Sequence, residues 1–320
     1  MNLAKAKLPT RRAYSERIAE LGAELPDFVV FESDIGHSTY SYLFGDKFPE
    51  RYFNMGIAEV ATMSAACGVA SQGRPALVCG YGVFLTMRAL EMVRSFACYP
   101  NLDVKIMSSH GGLTAAIDGV THQATEDIAF MTTLPNMKVL VPADPRAARA
   151  AADISLATRG PFFTRLMRDP LLELYAEGEE FRLGGSKTLR RGADVAIAAY
   201  GDMVFKALDA AELLAAEGIE AEVLDLYSVK PWDREAVLAA VGKCGALLVA
   251  ENHQRRNGLG YDIGVTLLRE GLFVPFDNLG LEDRFAESGD YENMLVRHGL
   301  GAEAVAAAAK RLAAAKKGRT

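Results

Sequence analysis

The sequence predicts an α/β protein of two domains, each a mostly parallel sheet covered by helices. Three observations carry that expectation. Short apolar runs alternate with segments of helical period along the chain, and β–α alternation favours a parallel sheet with helices on its faces. The rhythm breaks once, where Asp169-Pro170, Glu177-Gly178-Glu179-Glu180 and Gly184-Gly185 fall close together, which marks a linker. The length of 320 residues also exceeds the roughly 250–300 at which a single core stops growing. The division read from this is a first domain over 1–170, a linker over 171–191 and a second domain over 192–320.

The elements follow in order. A helix over 10–25 ends before Pro26. Phe28-Val29-Val30-Phe31-Glu32 reads as a buried strand, followed by a polar loop through Ser41. A helix over 57–71, rich in small residues, closes at Gly73. Strands are expected at 76–80, 103–108, 137–141 and 162–166, with helices near 84–98, 124–133 and 145–158. In the second domain the strands read Val195–Ala199, Ala221–Asp225 and Ala246–Ala250, with a fourth near Phe273-Val274-Pro275. Helices fill the gaps, and an Ala-rich one closes the chain after Ala302.

Composition narrows the function. A net charge of −6 argues against nucleic acid as the main partner. The basic end, Lys316-Lys317-Gly318-Arg319, reads as a solvated tail. Cys67, Cys79, Cys98 and Cys244 show no metal-ligand spacing, which suits reduced, buried thiols. The N-terminal stretch lacks the apolar segment of a signal peptide, and no run approaches the ~20 apolar residues of a membrane span. A cytoplasmic protein without membrane contact is the expectation.

Open α/β sheets bind ligands beyond the carboxyl ends of their strands. Tyr81, His110 and Arg168 each follow a predicted strand of the first domain, which places the chemistry there. Glu59 closes Met55-Gly56-Ile57-Ala58-Glu59 in the first turn of a predicted helix. It could simply complement the helix dipole or serve as an acid–base group. Tyr81 and Phe84, in Gly80-Tyr81-Gly82-Val83-Phe84, could be core aromatics or could stack on a flat ligand. The spacing His110-x7-Asp118-x3-His122 is open to structural, metal-binding or substrate-binding readings. Arg11, Asp34, Ser38 and the pair Arg165-x2-Arg168 are further polar candidates, and Glu251-Asn252-His253 reads as structural or interfacial.

Taken together these motifs resemble the transketolase family, over its pyrimidine-binding and C-terminal domains. The stretches that carry the resemblance are Thr10-Arg11-Arg12-Ala13-Tyr14, Asp34-x3-Ser38-Thr39, Gly56-Ile57-Ala58-Glu59, the His110/Asp118/His122 set and Arg165-x2-Arg168. The resemblance implies an enzyme that uses thiamine diphosphate to transfer a two-carbon ketol unit from a ketose phosphate to an aldose phosphate. Catalytic roles would fall to Glu59, His110 and His122. Glu59, Tyr81, Phe84 and Asp34 would face the cofactor. Arg11, Ser38, His110, Asp118, His122 and Arg168 would bind substrate. The chain departs from the family at Ala116-Ile117, where Gly-Glu is usual, and at Val60, where Gln or His is common.

The family's diphosphate and metal motif, Gly-Asp-Gly followed by an Asn, has no counterpart in this sequence. Gly201-Asp202-Met203 lacks the second Gly and falls in the second domain. The resemblance therefore implies a split enzyme. An N-terminal partner subunit would carry the diphosphate domain and its Mg²⁺ (or Ca²⁺), and this chain would self-associate as a dimer within a heterotetramer. The competing readings are the β subunit of a 2-oxo acid dehydrogenase E1 component, a deoxyxylulose-phosphate-synthase-like subunit, and a non-catalytic scaffold subunit.

Overall fold

The computed structural model describes residues 3–317. Gly318 and Arg319 of the expected basic tail lie outside the described residues. Lys316, read as part of that solvated tail, instead donates to the carbonyl of Cys244 at 2.7 Å. Cys244 ends the helix Arg234–Cys244, so the cation meets unsatisfied carbonyls at the negative end of a helix.

Twelve named strands run in chain order as β1 (Val29–Glu32), β2 (Tyr52–Asn54), β3 (Ala76–Tyr81), β4 (Val104–Ser109), β5 (Lys138–Leu140), β6 (Phe162–Arg165), β7 (Lys187–Arg190), β8 (Val195–Ala199), β9 (Ala221–Asp225), β10 (Ser228–Lys230), β11 (Leu247–Gln254) and β12 (Phe276–Leu281). They form two sheets. The seven-stranded sheet has the order β10-β5-β6-β4-β3-β1-β2 and the five-stranded sheet β12-β11-β8-β9-β7. Each is parallel except at one edge, where β10 runs antiparallel to β5 and β7 antiparallel to β9. The fold is the α/β architecture that the sequence predicts.

The central strands form on largely apolar runs, with Lys105 as the charged exception in β4. β3, β4 and β8 are buried along nearly their whole length, as expected for strands covered on both faces. Helices Thr10–Glu24 and Pro145–Ala157 cover one face of the larger sheet. Asp144 caps the second of these, accepting from Ala147 N at 2.8 Å, and Pro145 sits in its first turn, the favoured arrangement for a helix start. The other face packs helix Glu59–Ser71 and the segment after β3 into a core that reaches the smaller sheet. Phe31, Val78 and Ile106 share one hydrophobic cluster with Ala198, Leu224 and Val249.

Four strands differ from the sequence reading. β2 and β10 are three-residue edge strands, too short to show an apolar period. β7 lies inside the stretch read as linker. β12 begins at Phe276, beyond Phe273-Val274-Pro275, because its Asp277, Asn278 and Gly280 interrupt the apolar pattern that would mark a strand.

The expected helix over 84–98 is also different. Phe84–Arg88 and Val93–Cys98 are wide π turns on either side of a short α segment, Leu90–Met92. Ala89 N bonds Phe84 O at 3.2 Å and Tyr99 N bonds Arg94 O at 3.0 Å. Thr86 Oγ1 donates to Gly82 O at 2.8 Å, a side-chain bond that competes with regular helix geometry.

Candidate active site

The carboxyl ends of β6, β4, β3 and β1 lie side by side in the larger sheet. Each delivers candidate residues to that rim. β1 leads into Asp34 and Ser38, β3 ends at Tyr81, β4 is followed by His110, and β6 is followed by Arg168.

Arg11, in the first turn of its helix, joins two of these segments. Its Nη1 donates to Ser38 O at 2.7 Å and Ser38 Oγ at 3.0 Å, and its Nε donates to Arg168 O at 2.8 Å. Burial pulls the Arg11 pKa below its ordinary value, and the nearby Arg168 charge adds to the shift. Tyr81 donates its hydroxyl to Ser38 Oγ at 2.8 Å. The Tyr81 ring lies 4.3 Å from the His110 ring, 5.4 Å from the His122 ring and 6.0 Å from the Phe84 ring. Phe84 meets His122 edge-on at 5.5 Å. Asp118 Oδ2 lies 3.7 Å from His110 Nε2 and 3.5 Å from Arg168 Nε. Arg11, Ser38, Tyr81, Phe84, His110, Asp118, His122 and Arg168 thus form one continuous cluster.

The two histidines differ. His110 is buried, shares a 2.8 Å hydrogen bond with Ser109 Oγ through Nδ1, and adopts a left-handed backbone at φ 64°. Burial, with the charges of Arg11 and Arg168 beside it, pushes its pKa down to about 3. At neutral pH it is a neutral imidazole, able to donate from one nitrogen and accept at the other. His122 is half-buried and shares a 2.9 Å hydrogen bond with Thr121 Oγ1.

The loop between them is held from the smaller sheet. Asn252, at the end of β11, accepts from Leu113 N at 2.9 Å through Oδ1 and donates to Asp202 at 2.7 Å. Its carbonyl accepts from Arg165 at 2.8 Å, and Arg165 also pairs with Asp127 at 2.9 Å. Gly112, at φ 58°, has no room for a side chain, because a Cβ would lie 2.6 Å from Asn252. Ala116 sits at φ 49° and ψ −107°, a conformation that strains any residue but Gly. It is the position where the chain carries Ala in place of the family's usual Gly.

Glu59 begins the helix Glu59–Ser71 and is buried, with Oε2 accepting from Arg88 Nη1 at 2.6 Å. Arg88 also lies 4.6 Å from the Phe84 ring centroid, which connects Glu59 to the cluster. Asp34 stands to one side. Its carboxylate accepts from Asn54 Nδ2 at 3.0 Å, and Asn54 in turn accepts from Gly56 N at 2.9 Å in the segment that leads to Glu59.

Arg88 and Asn252 are the contributors that sequence reasoning did not single out for this site. For Arg88 a signal existed, since it lies one turn after Phe84 on the same segment. Asn252 gave none, because its approach depends on how the two sheets pack. Among the described residues no three His, Cys, Asp or Glu stand together in a way that could hold a metal ion, and no helix is long and apolar enough to cross a membrane.

Residues 6–172 match the transketolase pyrimidine-binding domain, and residues 184–305 match the transketolase C-terminal domain. The chain belongs to the transketolase family. It is 34% identical to a putative transketolase C-terminal section of Methanocaldococcus jannaschii, over 92% of this chain and 93% of that one. It is 36% identical to a 6-deoxy-6-sulfo-D-fructose transketolase subunit of Clostridium sp. strain MSTE9, over 93% of this chain and 92% of that one. It also superimposes, with a TM-score of 0.90 and 40% identity, on a split-gene transketolase solved as an inactive β4 tetramer, covering 97% of this chain and 99% of that one. The Glu59 rim therefore lies in the transketolase pyrimidine-binding domain, and Asn252 reaches it from the C-terminal domain.

Proposed function

We propose that this chain is the C-terminal subunit of a two-subunit transketolase, which transfers a two-carbon ketol unit from a ketose phosphate to an aldose phosphate with thiamine diphosphate. The observation that carries this reading is the grouping of Arg11, Ser38 and Arg168 with His110, Asp118 and His122 on the same rim as Phe84 and, through Arg88, Glu59. The pyrimidine-binding domain is assigned to 1–170, the linker to 171–191 and the C-terminal domain to 192–320.

The residues present fit the pyrimidine end of the cofactor. A buried carboxylate and two neighbouring aromatics suit a flat, hydrogen-bonding heterocycle. Bound thiamine diphosphate would supply a nucleophilic thiazolium carbon. Glu59 would hydrogen-bond the pyrimidine ring and hold a proton there, Tyr81 and Phe84 would stack against the ring, and Asp34 would serve the thiazolium side. His110 and His122 would hold or move a proton at the substrate carbonyl oxygen, and Asp118 would take a sugar hydroxyl. Arg11, Ser38 and Arg168 would hold the phosphate through charge-assisted bonds. The sulfo-sugar relative suggests that a sulfonate could meet the same donors.

The sequence offers no Gly-Asp-Gly…Asn motif for the diphosphate and its metal. They are assigned to an N-terminal partner subunit holding Mg²⁺ or Ca²⁺, with two copies of each chain in a cytoplasmic heterotetramer. The test is reconstitution. The purified chain should be inactive with thiamine diphosphate and Mg²⁺, and addition of the N-terminal subunit should produce ketol transfer. Turnover by this chain alone would overturn the split-enzyme reading.

A further inference from the structure

Glu59 has 3% of its side chain exposed, and a buried carboxylate is costly unless it is paired. Among the described residues its hydrogen-bond partner is Arg88, at 2.6 Å. Arg88 is itself 49% exposed, yet it reaches inward, and its guanidinium lies over the Phe84 ring with 4.6 Å to the centroid. The wide turn closed by Ala89 N and Phe84 O separates Phe84 from Arg88 by a single turn, so one ring and one carboxylate together hold the guanidinium.

A guanidinium is flat and delocalised, and it carries N–H donors in its plane. An aminopyrimidine held by Glu59 and Phe84 would offer the same features, a face for the ring and an edge for the carboxylate. We propose that Arg88 is a built-in stand-in for the pyrimidine, filling the Glu59–Phe84 position until the cofactor displaces it and thereby setting cofactor affinity. This inference rests on the assignment of Glu59 and Phe84 to the pyrimidine. The guanidinium and the pyrimidine cannot make the same two contacts at once. The apparent dissociation constant for the cofactor is therefore the intrinsic one divided by the fraction of molecules in which Arg88 is not seated. A displaced Arg88 has solvent beside it to receive its charge.

The test is calorimetric titration of thiamine diphosphate with Mg²⁺ into the chain assembled with its N-terminal subunit, for wild type, Arg88→Leu, Arg88→Lys and Glu59→Gln. Arg88→Leu removes a competing charge-assisted bond, so cofactor affinity should rise roughly 10-fold or more. Arg88→Lys keeps a charge for Glu59 but loses the planar stack, and should fall between Arg88→Leu and wild type. Glu59→Gln should weaken binding. If Arg88→Leu binds the cofactor no more tightly than wild type, Arg88 is not a stand-in, and weaker binding would make it a support for Glu59 instead. If Glu59→Gln binds as tightly as wild type, the pyrimidine assignment itself falls. Should Arg88→Leu fail to assemble, Arg88→Met, unbranched and without N–H donors, carries the same expectation and the same refutation.

Discussion

Replacing Asn252 by Ala should loosen a loop that lies in a different domain. The side chain is fully buried and has two partners, Leu113 N at 2.9 Å and Asp202 at 2.7 Å. Removing it leaves the buried Leu113 N–H without an acceptor, at a cost of about 1–3 kcal/mol. It also takes a donor from the buried Asp202 carboxylate, about 1.5–3 kcal/mol for a bond to a charged group, although Tyr291 still donates to Asp202. The expected loss is about 3–5 kcal/mol, which for a chain of this size lowers Tm by about 4–8 °C. Thermal unfolding measures the first effect. Hydrogen exchange over 110–119 measures the second, since the Leu113 amide should exchange faster while β8 stays protected. Asn252→Asp separates the two partners. It keeps an acceptor for Leu113 but sets a carboxylate beside Asp202, so its penalty should shrink as the pH is lowered. A Tm within about 1 °C of wild type, with unchanged exchange over 110–119, would refute the idea that Asn252 holds the loop.

Three further outcomes are expected of the assembled enzyme or the chain itself. Glu59→Gln should leave assembly intact and slow deuterium exchange at the thiazolium carbon about 10²–10⁴-fold; exchange at the wild-type rate would remove Glu59 from that role. Arg168→Ala should raise KM for phosphorylated sugars, with kcat/KM falling roughly 10–150-fold, and should spare unphosphorylated ones. Arg11→Ala should affect both kinds of substrate, because Arg11 also ties the Ser38 and Arg168 backbones together; indifference of Arg168→Ala to the phosphate would sink the clamp. For His110 the folded pKa is about 3 against an ordinary 6.5, so between those values the unfolded chain binds a proton that the native chain does not. Stability linked to His110 is thus present above about 6.5 and lost as pH falls, by up to about 1.4 kcal/mol per pH unit. Urea unfolding of wild type and His110→Gln from pH 7 to pH 4 should show the wild type losing more, and parallel curves would mean that the ring is not held neutral.

The fold class was legible because the long central strands are largely apolar and buried on both faces, and β3 and β8 announce themselves as unbroken runs. What escaped was short or peripheral. β2, β7 and β10 gain their order from a neighbouring strand and not from a pattern of their own, and β12 is an edge strand with Asp277 and Asn278 in it. The candidate residues could be picked out because they cluster just after strands, and the structure does bring Arg11, Ser38, Tyr81, His110, Asp118, His122 and Arg168 together. Long-range partners were not legible. Nothing near Asn252 in the sequence points to Leu113, and although Arg88 lies one turn after Phe84, nothing local points it to Glu59. The strain at Ala116 was visible only as an odd residue choice, since φ is not written in the sequence.

The strand β10 has a consequence for how such a gene could be divided. Ser228–Lys230 completes the edge of the larger sheet although it follows β8 and β9 of the smaller one in the chain. A break within 171–191 would look harmless from composition, yet it would leave the first fragment with β5 as a bare edge and the second with a strand that has lost its sheet. Exposed edges of that kind invite aggregation. Fission within this chain is therefore opposed by its own hydrogen-bond ladder, which binds the pyrimidine-binding and C-terminal parts into one folding unit.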